Sequence, residues 1–295
     1  LAGLLQDGVP VILARIAHAQ GSTPREEGAC MLIWQSGLAG TIGGGQMEWM
    51  AIDEARRLIA KGGTGRTLSI PLGPAIGQCC GGHVAIALAR ADAQTLRDLE
   101  QAEHLDTARR PHAYIFGAGH VGRALAHALA LLPVTTHIVD QRAAELRDLP
   151  PGAIAKESAL AESDIAAAPA GSAFVIMTHD HALDFLLAEA ALRRGDSAYV
   201  GLIGSHSKRA RFASWYRSQG GGPSDLARLS CPIGQAGRGD KRPEIIAAFA
   251  AAEIMAHLLA HRNAAQDGVG GDGRSAGGCA GRGEVDGGRP GETST

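Results

Sequence analysis

Apolar residues divide the chain into two regions of different periodicity. Between Val9 and about Arg90, short alternating apolar runs are separated by glycine-rich turns, and Gln46 to Lys61 carries apolar residues at helical spacing. From His112 onward, short apolar runs alternate with longer helical patterns. Strands that alternate with helices in this way predict a parallel, doubly wound sheet. We therefore predict an α/β chain with a glycine-rich N-terminal α/β domain and a second domain built on a parallel sheet.

The predicted boundaries follow changes in composition. Residues 1–91 form the first domain, residues 92–111 a polar, helix-prone linker, and residues 112–262 the second domain, whose last helix ends near His261. Residues 263–295 consist mainly of Gly, Asp, Arg and Ser. Such a segment cannot bury enough apolar surface to offset the entropy of ordering, so we predict a disordered C-terminal tail.

Composition restricts the class of protein. The 295 residues are 45% hydrophobic with a net charge of −2, which argues against nucleic acid and anionic membrane surfaces as partners. We expect no membrane span, because no apolar run approaches about 18 residues, and we expect no signal peptide. Five unevenly spaced cysteines do not suggest a disulfide framework, so we expect a cytoplasmic protein. We also expect a homo-oligomer.

Two adjacent cysteines lie within a glycine-rich run from Gly77 to His83. Gln78, Cys79 and Cys80 precede Gly81, and an alternating strand pattern follows. Joining adjacent cysteines closes a strained ring, so a disulfide between them is a poor structural crosslink. The glycines would let a ligand or a soft metal-bound atom approach the sulfur atoms. The alternative is a glycine turn whose small cysteines pack into the core.

A second glycine motif follows a predicted strand and opens a helix. Gly117, Gly119 and Gly122 have the spacing of the dinucleotide fingerprint, and Asp140 ends the next strand. In that fingerprint the glycines allow close backbone approach, the helix N-terminus faces an anion, and the acid bonds a ribose hydroxyl. This context predicts a Rossmann-like domain. Its crevice could hold a nucleotide or another anionic ligand.

A third glycine motif precedes the helix predicted from Gln46. Glycines at the start of a helix can offer free N–H groups to a phosphate; here they are Gly43, Gly44 and Gly45. Glu48 would lie in the first turn, where a carboxylate also suits the helix dipole. A plain tight turn explains the same residues.

A polar loop from Gly21 to Arg25 carries hydroxyl groups and one guanidinium. Thr23 and Arg25 are suited to bind a phosphate or a carboxylate. The motif is weak when taken alone.

Histidines and acids cluster after the strand near Met177. The run Thr178-His179-Asp180-His181 with Asp184 resembles the His-x-His-x-Asp-His run of binuclear hydrolases, but the Asp comes one residue late and the final His is absent. We therefore predict no metal site. A position at the carboxyl end of a strand suits a ligand contact for His179 and His181, and Thr178 or Asp180 could simply cap the next helix.

Taken together, these motifs resemble the xanthine dehydrogenase accessory proteins, XdhC and its CoxI-like relatives, over about residues 9–261. The matching segments are 21–25, 40–45 with Glu48, 77–82, 116–122, 178–181 with Asp184, 201–205 with Lys208, 232–234 and 243–245. Residues 234–239 are more polar than is usual for the family, and the tail has no counterpart in it.

The resemblance implies a molybdenum cofactor chaperone rather than a catalyst. Such a protein would bind the molybdopterin-based cofactor, hold it while a cysteine desulfurase installs its terminal sulfido ligand, and insert it into the molybdenum subunit of apo-xanthine dehydrogenase. Proteins of molybdenum cofactor biosynthesis are further expected partners. We assign no catalytic and no metal-ligating residues. The residues expected to bind cofactor are Thr23, Arg25, Gly43, Gly44, Gly45, Glu48, Gln78, Cys79, Cys80, Gly81, Gly117, Gly119, Gly122, Asp140, His179 and His181.

Two other functions remain open from the sequence. The complete fingerprint with Asp140 would suit an NAD(P)-dependent oxidoreductase, although only His179 or His181 could serve as its proton donor. A structural assembly factor that binds protein but no cofactor is the third possibility. A xanthine dehydrogenase client would imply the mononucleotide form of the cofactor rather than a cytosine dinucleotide.

Overall fold

The computed structural model describes residues 1–73, 81–237 and 239–270. It divides into two compact units, Leu1–Arg109 and Arg110–Thr295. The described helices are α1 (Ala2–Gln6), α2 (Gly45–Ala60), α3 (Ala93–Ala108), α4 (His120–Leu129), α5 (Ala161–Ala167), α6 (His181–Arg193), α7 (His206–Ser218), α8 (Pro223–Ala227) and α9 (Pro243–Gly270). The described strands are β1 (Val11–Gln20), β2 (Cys30–Trp34), β3 (Gly37–Gly40), β4 (Gly65–Pro71), β5 (His83–Arg90), β6 (His112–Phe116), β7 (Thr135–Asp140), β8 (Ile154–Glu157), β9 (Ala173–Ile176), β10 (Tyr199–Leu202) and β11 (Leu229–Ser230).

The first unit is an antiparallel sheet covered by α2. Its strands lie in the order β3-β2-β1-β5-β4. In β5 the alternating residues Val84, Ile86 and Leu88 are buried, as the period of two predicts. Helix α2 turns Met47 and Ala51 toward this face of the sheet, and both side chains are completely buried. The predicted N-terminal α/β domain is thus confirmed.

Helix α3 occupies most of the segment that we interpreted as a linker. Asp92 accepts a hydrogen bond from the Thr95 backbone N–H at 2.8 Å, and the Thr95 hydroxyl in turn accepts from the Asp92 N–H. This reciprocal cap starts the helix in a polar sequence. Residues 92–109 belong to the first unit.

The second unit is a parallel sheet with the doubly wound strand order. The strands lie in the order β11-β10-β9-β6-β7-β8, and every described pairing is parallel. The order therefore reverses between β6 and β9, which is the position where such sheets bind ligands. Helices α4 and α9 contribute to the core on one face, and α5, α6 and α7 to the core on the other. The predicted Rossmann-like domain is confirmed.

Helix α9 is longer than the sequence predicted. It continues to Gly270, so residues 263–270 are helical although we expected them in a disordered tail; Asn263, Ala264 and Ala265 do not break a helix. Residues 271–295 lie outside the described part. Over residues 243–265 its mean hydropathy is 1.5, and by length and composition it is the one described helix that could cross a membrane. Ile254 and Leu258 on one face are nevertheless buried in the core of the second unit.

Two histidines share a hydrogen bond in the second unit. Nδ1 of His112 on β6 lies 3.0 Å from Nε2 of His137 on β7, and Tyr114 stacks on the His137 ring at a centroid distance of 4.2 Å. Burial, together with the neighbouring His112, lowers the pKa of His137 to about 4.

Candidate functional site

The polar loop Gly21–Arg25 packs against the glycine turn before α2. Gly43 has a φ of +126°, and a Cβ built there would lie 2.9 Å from Cγ of Pro24. Only glycine allows this approach and this backbone angle. Thr23 is part of the loop itself, since its hydroxyl donates to the Arg25 carbonyl at 3.1 Å. Two motifs that are far apart in the sequence are therefore neighbours.

The same loop also contacts the glycines that follow the cysteine pair. Ser22 forms a parallel β-bridge with Gly81, and a Cβ on Gly82 would lie 2.5 Å from the Ser22 carbonyl oxygen. Gln78, Cys79 and Cys80 lie outside the described residues, so their predicted role stays a prediction. In the sequence, Cys80 is joined directly to Gly81. The structure thus brings all three N-terminal glycine motifs to one place, which we call the glycine junction (Gly21–Arg25, Thr41–Gly45 and Gly81–Gly82).

The carboxylate of Glu48 occupies the turn before α2. One oxygen, Oε2, accepts hydrogen bonds from the Thr41 hydroxyl at 2.5 Å, the Ile42 N–H at 2.9 Å and the Gly44 N–H at 3.1 Å. The Gly43 N–H donates to the Thr41 hydroxyl oxygen at 3.1 Å. Burial would raise the pKa of Glu48, but these hydrogen bonds outweigh it and lower the pKa. The turn that we predicted as a phosphate cradle therefore already holds an anion from its own helix.

The glycine junction has open faces and carries the guanidinium of Arg25. A Cβ on Gly44 or on Gly81 would meet no atom within 4 Å. Arg25 is exposed, and its guanidinium has no ion-pair partner within residues 1–73, 81–237 and 239–270. A ligand therefore has room beside Gly44 and beside Gly81, and Arg25 supplies a positive charge in the same junction. That set of groups suits a phosphate.

In the second unit the three fingerprint glycines have three distinct roles. A Cβ on Gly117 would lie 2.4 Å from the Met177 carbonyl oxygen, and one on Gly122 would lie 2.0 Å from the Gly117 carbonyl oxygen. Gly119 faces open space, with no atom within 4 Å of a Cβ. These are the roles expected in a dinucleotide fold, where the first glycine makes the turn, the second admits a ligand and the third packs helix against strand.

Asp140 does not offer its carboxylate to a ribose. Oδ2 accepts from the Ala118 N–H at 2.8 Å and from Arg142 Nη2 at 2.9 Å, and Oδ1 accepts from the Arg142 N–H at 3.0 Å and Nε at 2.9 Å. A carboxylate has about four acceptor sites, so all are in use. Burial would raise the pKa of Asp140, but the bonds from Arg142 and Ala118 lower it to about 2. Asp140 instead fixes the glycine loop to β7.

The crevice at the point of strand-order reversal is small. Gly117, Asp140, Ser158, Thr178 and His179 contribute to its lining, and its volume is about 30 Å³. This volume holds one or two waters, whereas ligand pockets usually measure about 300–1,000 Å³. Of the two histidines that we predicted to bind cofactor, His179 lines this crevice and His181 does not.

Asp184, at the end of the run that begins at Thr178, forms a buried ion pair with Lys208. Asp184 is completely buried; Oδ2 lies 2.5 Å from Lys208 Nζ, and Oδ1 accepts from the Thr178 N–H and hydroxyl at 2.9 and 2.8 Å. Asp180 caps α6 by accepting from the Ala182 N–H at 2.7 Å. The His181 side chain is 77% exposed. Within the described residues no group of three His, Cys, Asp or Glu could hold a metal ion.

Two family models match the chain, one on each unit. The XdhC and CoxI family model matches residues 4–71, and the XdhC Rossmann domain model matches residues 113–254. The chain belongs to the XdhC family. The resemblance inferred from the sequence motifs is confirmed.

Two known proteins are similar to this XdhC chain. Over 271 residues it is 28% identical to the uncharacterized protein YqeB of Escherichia coli K12, an alignment that covers 86% of this chain and 44% of YqeB. The chain thus spans less than half of that relative. A crystal structure of a xanthine dehydrogenase from Bacillus halodurans matches with a TM-score of 0.70 at 18% identity, covering 88% of this chain and 94% of that one. At this identity the match supports the fold.

Sequence reasoning missed a larger cavity in the XdhC Rossmann domain. Loops after β10 and β11 line a cavity of about 390 Å³, and Ile203, Ser205, Pro232 and Lys241 are among its lining residues. The signal was present, because residues 201–205 and 232–234 belong to the matching segments, but their spacing alone did not place them together. This cavity has the size of a ligand pocket.

Proposed function

We propose that this protein is a xanthine dehydrogenase accessory protein that carries the molybdenum cofactor as cargo. It holds the cofactor while a cysteine desulfurase supplies the terminal sulfido ligand, and it then delivers the cofactor to apo-xanthine dehydrogenase. Membership of the XdhC family supports an accessory role. The observation that carries the proposal is the convergence of three glycine motifs in the first unit, beside Arg25, whose guanidinium has no ion-pair partner in the part of the chain that the structure describes.

The glycine junction fits the phosphate of molybdopterin. Arg25 supplies a guanidinium, whose fork of N–H donors matches phosphate oxygens. A Cβ on Gly44 or Gly81 would meet no atom, so a phosphate has room beside both residues, while the Gly44 N–H stays bonded to Glu48. In this proposal Glu48 keeps the turn in shape, and Thr23 holds the loop that positions Arg25.

The cysteine pair would face the sulfur end of the cargo. The cofactor brings a soft Mo–S centre, for which thiolates are better partners than oxygen ligands. Cys79 and Cys80 precede Gly81, which lies in the glycine junction. Gln78 could hydrogen-bond the pterin edge. Enclosing the centre would protect it from water and oxygen, and the cysteine desulfurase would act on the held cargo.

The second candidate, an NAD(P)-dependent oxidoreductase, has one observation in its favour, the open face of Gly119. Two others speak against it. Asp140 has no free acceptor site for a ribose, and the crevice beside it measures about 30 Å³. We expect no saturable binding of NAD or NADP by calorimetry. Tight binding of either would favour this candidate.

The test is the amount of molybdopterin bound by the purified protein. We would express the chain in a host that makes the cofactor, release the pterin by oxidation, and identify it by fluorescence and mass spectrometry. Arg25→Gln should lower the bound amount by about tenfold or more, because a charged hydrogen bond contributes about 1.5–3 kcal/mol. Arg15→Gln, which changes another exposed arginine of the same unit, is the matched control.

The cysteines are tested in the same assay. Cys79→Ser and Cys80→Ser should reduce retention of the sulfurated cofactor, whereas Cys231→Ser should not, because Cys231 is buried and burial raises the pKa of its thiol. Absence of molybdopterin from the wild-type protein, with no uptake from a cofactor source, would refute the proposal.

A further inference from the structure

The cavity lined by the loops after β10 and β11 brings together two sequence motifs that the proposed function does not use. Residues 201–205 lead from β10 to α7, and residues 232–234 follow β11. Both motifs leave the carboxyl end of a strand in the parallel sheet, which is the edge where such sheets bind ligands. This cavity, which we call the β10–β11 cavity, measures about 390 Å³ and is lined only by residues of the second unit. It therefore has the size of a pocket for one small molecule.

One part of the wall of the β10–β11 cavity is apolar. Its side chains are those of Ile203, Pro232, Ile233 and Ile246. The loop after β11 packs closely on α9, because a Cβ on Gly234 would lie 3.0 Å from the Ile246 carbonyl oxygen. The Gly234 N–H is also fixed, since it donates to Oε2 of Glu253 at 2.8 Å. The apolar wall is thus formed without a ligand, and an apolar group that binds against it loses contact with water.

The polar part of the wall carries a cation. Lys241 lines the cavity, and its ammonium group has no ion-pair partner in the described stretches 1–73, 81–237 and 239–270. The acid in the lining, Asp240, is already paired, since Oδ1 accepts from the Arg242 N–H at 2.9 Å and Oδ2 from Arg242 Nη2 at 2.6 Å. The Ser205 hydroxyl and the His206 imidazole also line the cavity and donate to no acceptor in the part of the chain that is described. These groups are complementary to an anion.

We propose that the β10–β11 cavity binds a second ligand, a small organic phosphate whose apolar body lies against Ile246 and whose phosphate lies beside Lys241. The volume of about 390 Å³ sets the size of the ligand, and the unpaired lysine sets its charge. A phosphate suits the site better than a carboxylate, because three acceptor oxygens can take Lys241, Ser205 and His206 together. The inference does not rest on the proposed function, whose glycine junction belongs to the first unit.

The experiment compares three probes that separate the apolar body from the anion. The full chain is titrated at low ionic strength with 1-naphthyl phosphate, inorganic phosphate and 1-naphthol, and proton and phosphorus NMR of each probe measures its binding. The naphthyl phosphate should bind at least about tenfold more tightly than either other probe, because only this molecule uses both parts of the wall. Equal affinity for the naphthyl phosphate and for inorganic phosphate, or no saturable binding of the naphthyl phosphate, would overturn the proposal.

Two variants assign the binding to this cavity. Lys241→Gln should weaken binding of the naphthyl phosphate by about fivefold to tenfold and leave that of naphthol unchanged, because it removes only the charge. Ile246→Trp places a larger side chain in the cavity and should weaken binding of both naphthyl probes by about tenfold or more. Lys61→Gln, which changes an exposed lysine of the first unit, is the matched control and should bind all three probes as the wild type does. Thermal melting checks folding, and the exposed Lys241 keeps the test valid if Ile246→Trp does not fold.

Molybdopterin content, measured on the same variants, separates the second ligand from the cargo, which also carries a phosphate. Lys241→Gln should keep the wild-type content. If it loses molybdopterin together with its affinity for the naphthyl phosphate, the cargo occupies this cavity and the proposal of a second ligand is wrong. Wild-type affinity of Lys241→Gln for the naphthyl phosphate would overturn the site itself. Binding that depends on Lys241 in a protein that carries no molybdopterin would support the site while the cargo function fails.

Discussion

Replacing Lys208 by methionine should strongly destabilise the second unit, because it leaves a buried carboxylate without its cation. Lys208 Nζ is the only donor to Oδ2 of Asp184 among the described residues, and the two side chains are 7% and 0% exposed. The Ile203 carbonyl would lose its bond from the same ammonium group at 2.9 Å. Thr178 would still donate to Oδ1, whereas the nearest remaining partner of Oδ2 among the described residues would be His181 Nδ1 at 4.0 Å, beyond hydrogen-bond distance.

The size of the effect follows from this burial. Removing one partner of a buried ion pair costs about 3–5 kcal/mol, which is a large share of the roughly 5–15 kcal/mol that stabilises a domain. For a domain of this size, about 3–5 kcal/mol lowers the melting temperature by about 6–20 °C. The double variant Asp184→Asn/Lys208→Met removes the buried charge together with its partner. It should recover a large part of the loss.

Urea unfolding followed by tryptophan fluorescence measures this change. The chain has three tryptophans, and Trp215 packs against Phe185 and Phe212 with ring centroids 5.5 and 5.9 Å apart. Changing Trp34 and Trp49 to phenylalanine makes Trp215 the only reporter, so the signal comes from the second unit. A loss below about 1 kcal/mol for Lys208→Met, or a double variant no more stable than the single one, would refute the reasoning.

Three further predictions concern other described groups. Gly122→Ala should prevent folding of the second unit, because its Cβ would lie 2.0 Å from the Gly117 carbonyl oxygen, whereas Gly119→Ala should fold; soluble yield and thermal melting distinguish them. The unfolded chain protonates His137 near pH 6.5 and the folded chain only near pH 4, so stability should fall as the pH is lowered between these values. His137→Gln should remove about 1–2 kcal/mol of that loss, a value reduced for the partial exposure of the ring, and urea unfolding at several pH values tests it. Glu48→Gln should cost the first unit about 1–2 kcal/mol at pH 7, because three donors lose their charged acceptor; an unchanged urea midpoint would contradict this.

The fold was predictable where the signals are local. Gly117, Gly119 and Gly122 between a buried strand and a helix predict the turn, because a tight turn needs residues without a Cβ at fixed positions. The alternation in β5 predicts a half-buried strand for the same local reason. The strand order in the first unit could not be predicted, since it depends on which distant strands pair.

The candidate site was predictable in its residues but not in their partners. Glu48 was expected near the helix start, yet only the folded turn shows that its carboxylate takes the N–H groups intended for a ligand. Asp140 was expected to face a ribose, but Arg142, two residues away, uses the same oxygens. Asp184 and Lys208 were both noted, and their ion pair crosses between two helices. Sequence spacing predicts where a residue lies on its helix or strand. Whether its side chain is available to a ligand depends on the direction of that side chain and on the partners it meets in the folded protein.

The Glu48 carboxylate already accepts the N–H groups of the turn before α2, so another anion could enter that turn only by displacing it. The loop keeps its shape without any ligand, so binding there would require no ordering of the chain. An incoming anion would instead have to replace one that is already present, and its affinity would be the difference between two similar sets of hydrogen bonds. Under the proposed function, in which Glu48 stays in the turn and the phosphate binds at the open faces of the glycine junction, this internal anion would therefore hold the turn in one shape both with and without cargo.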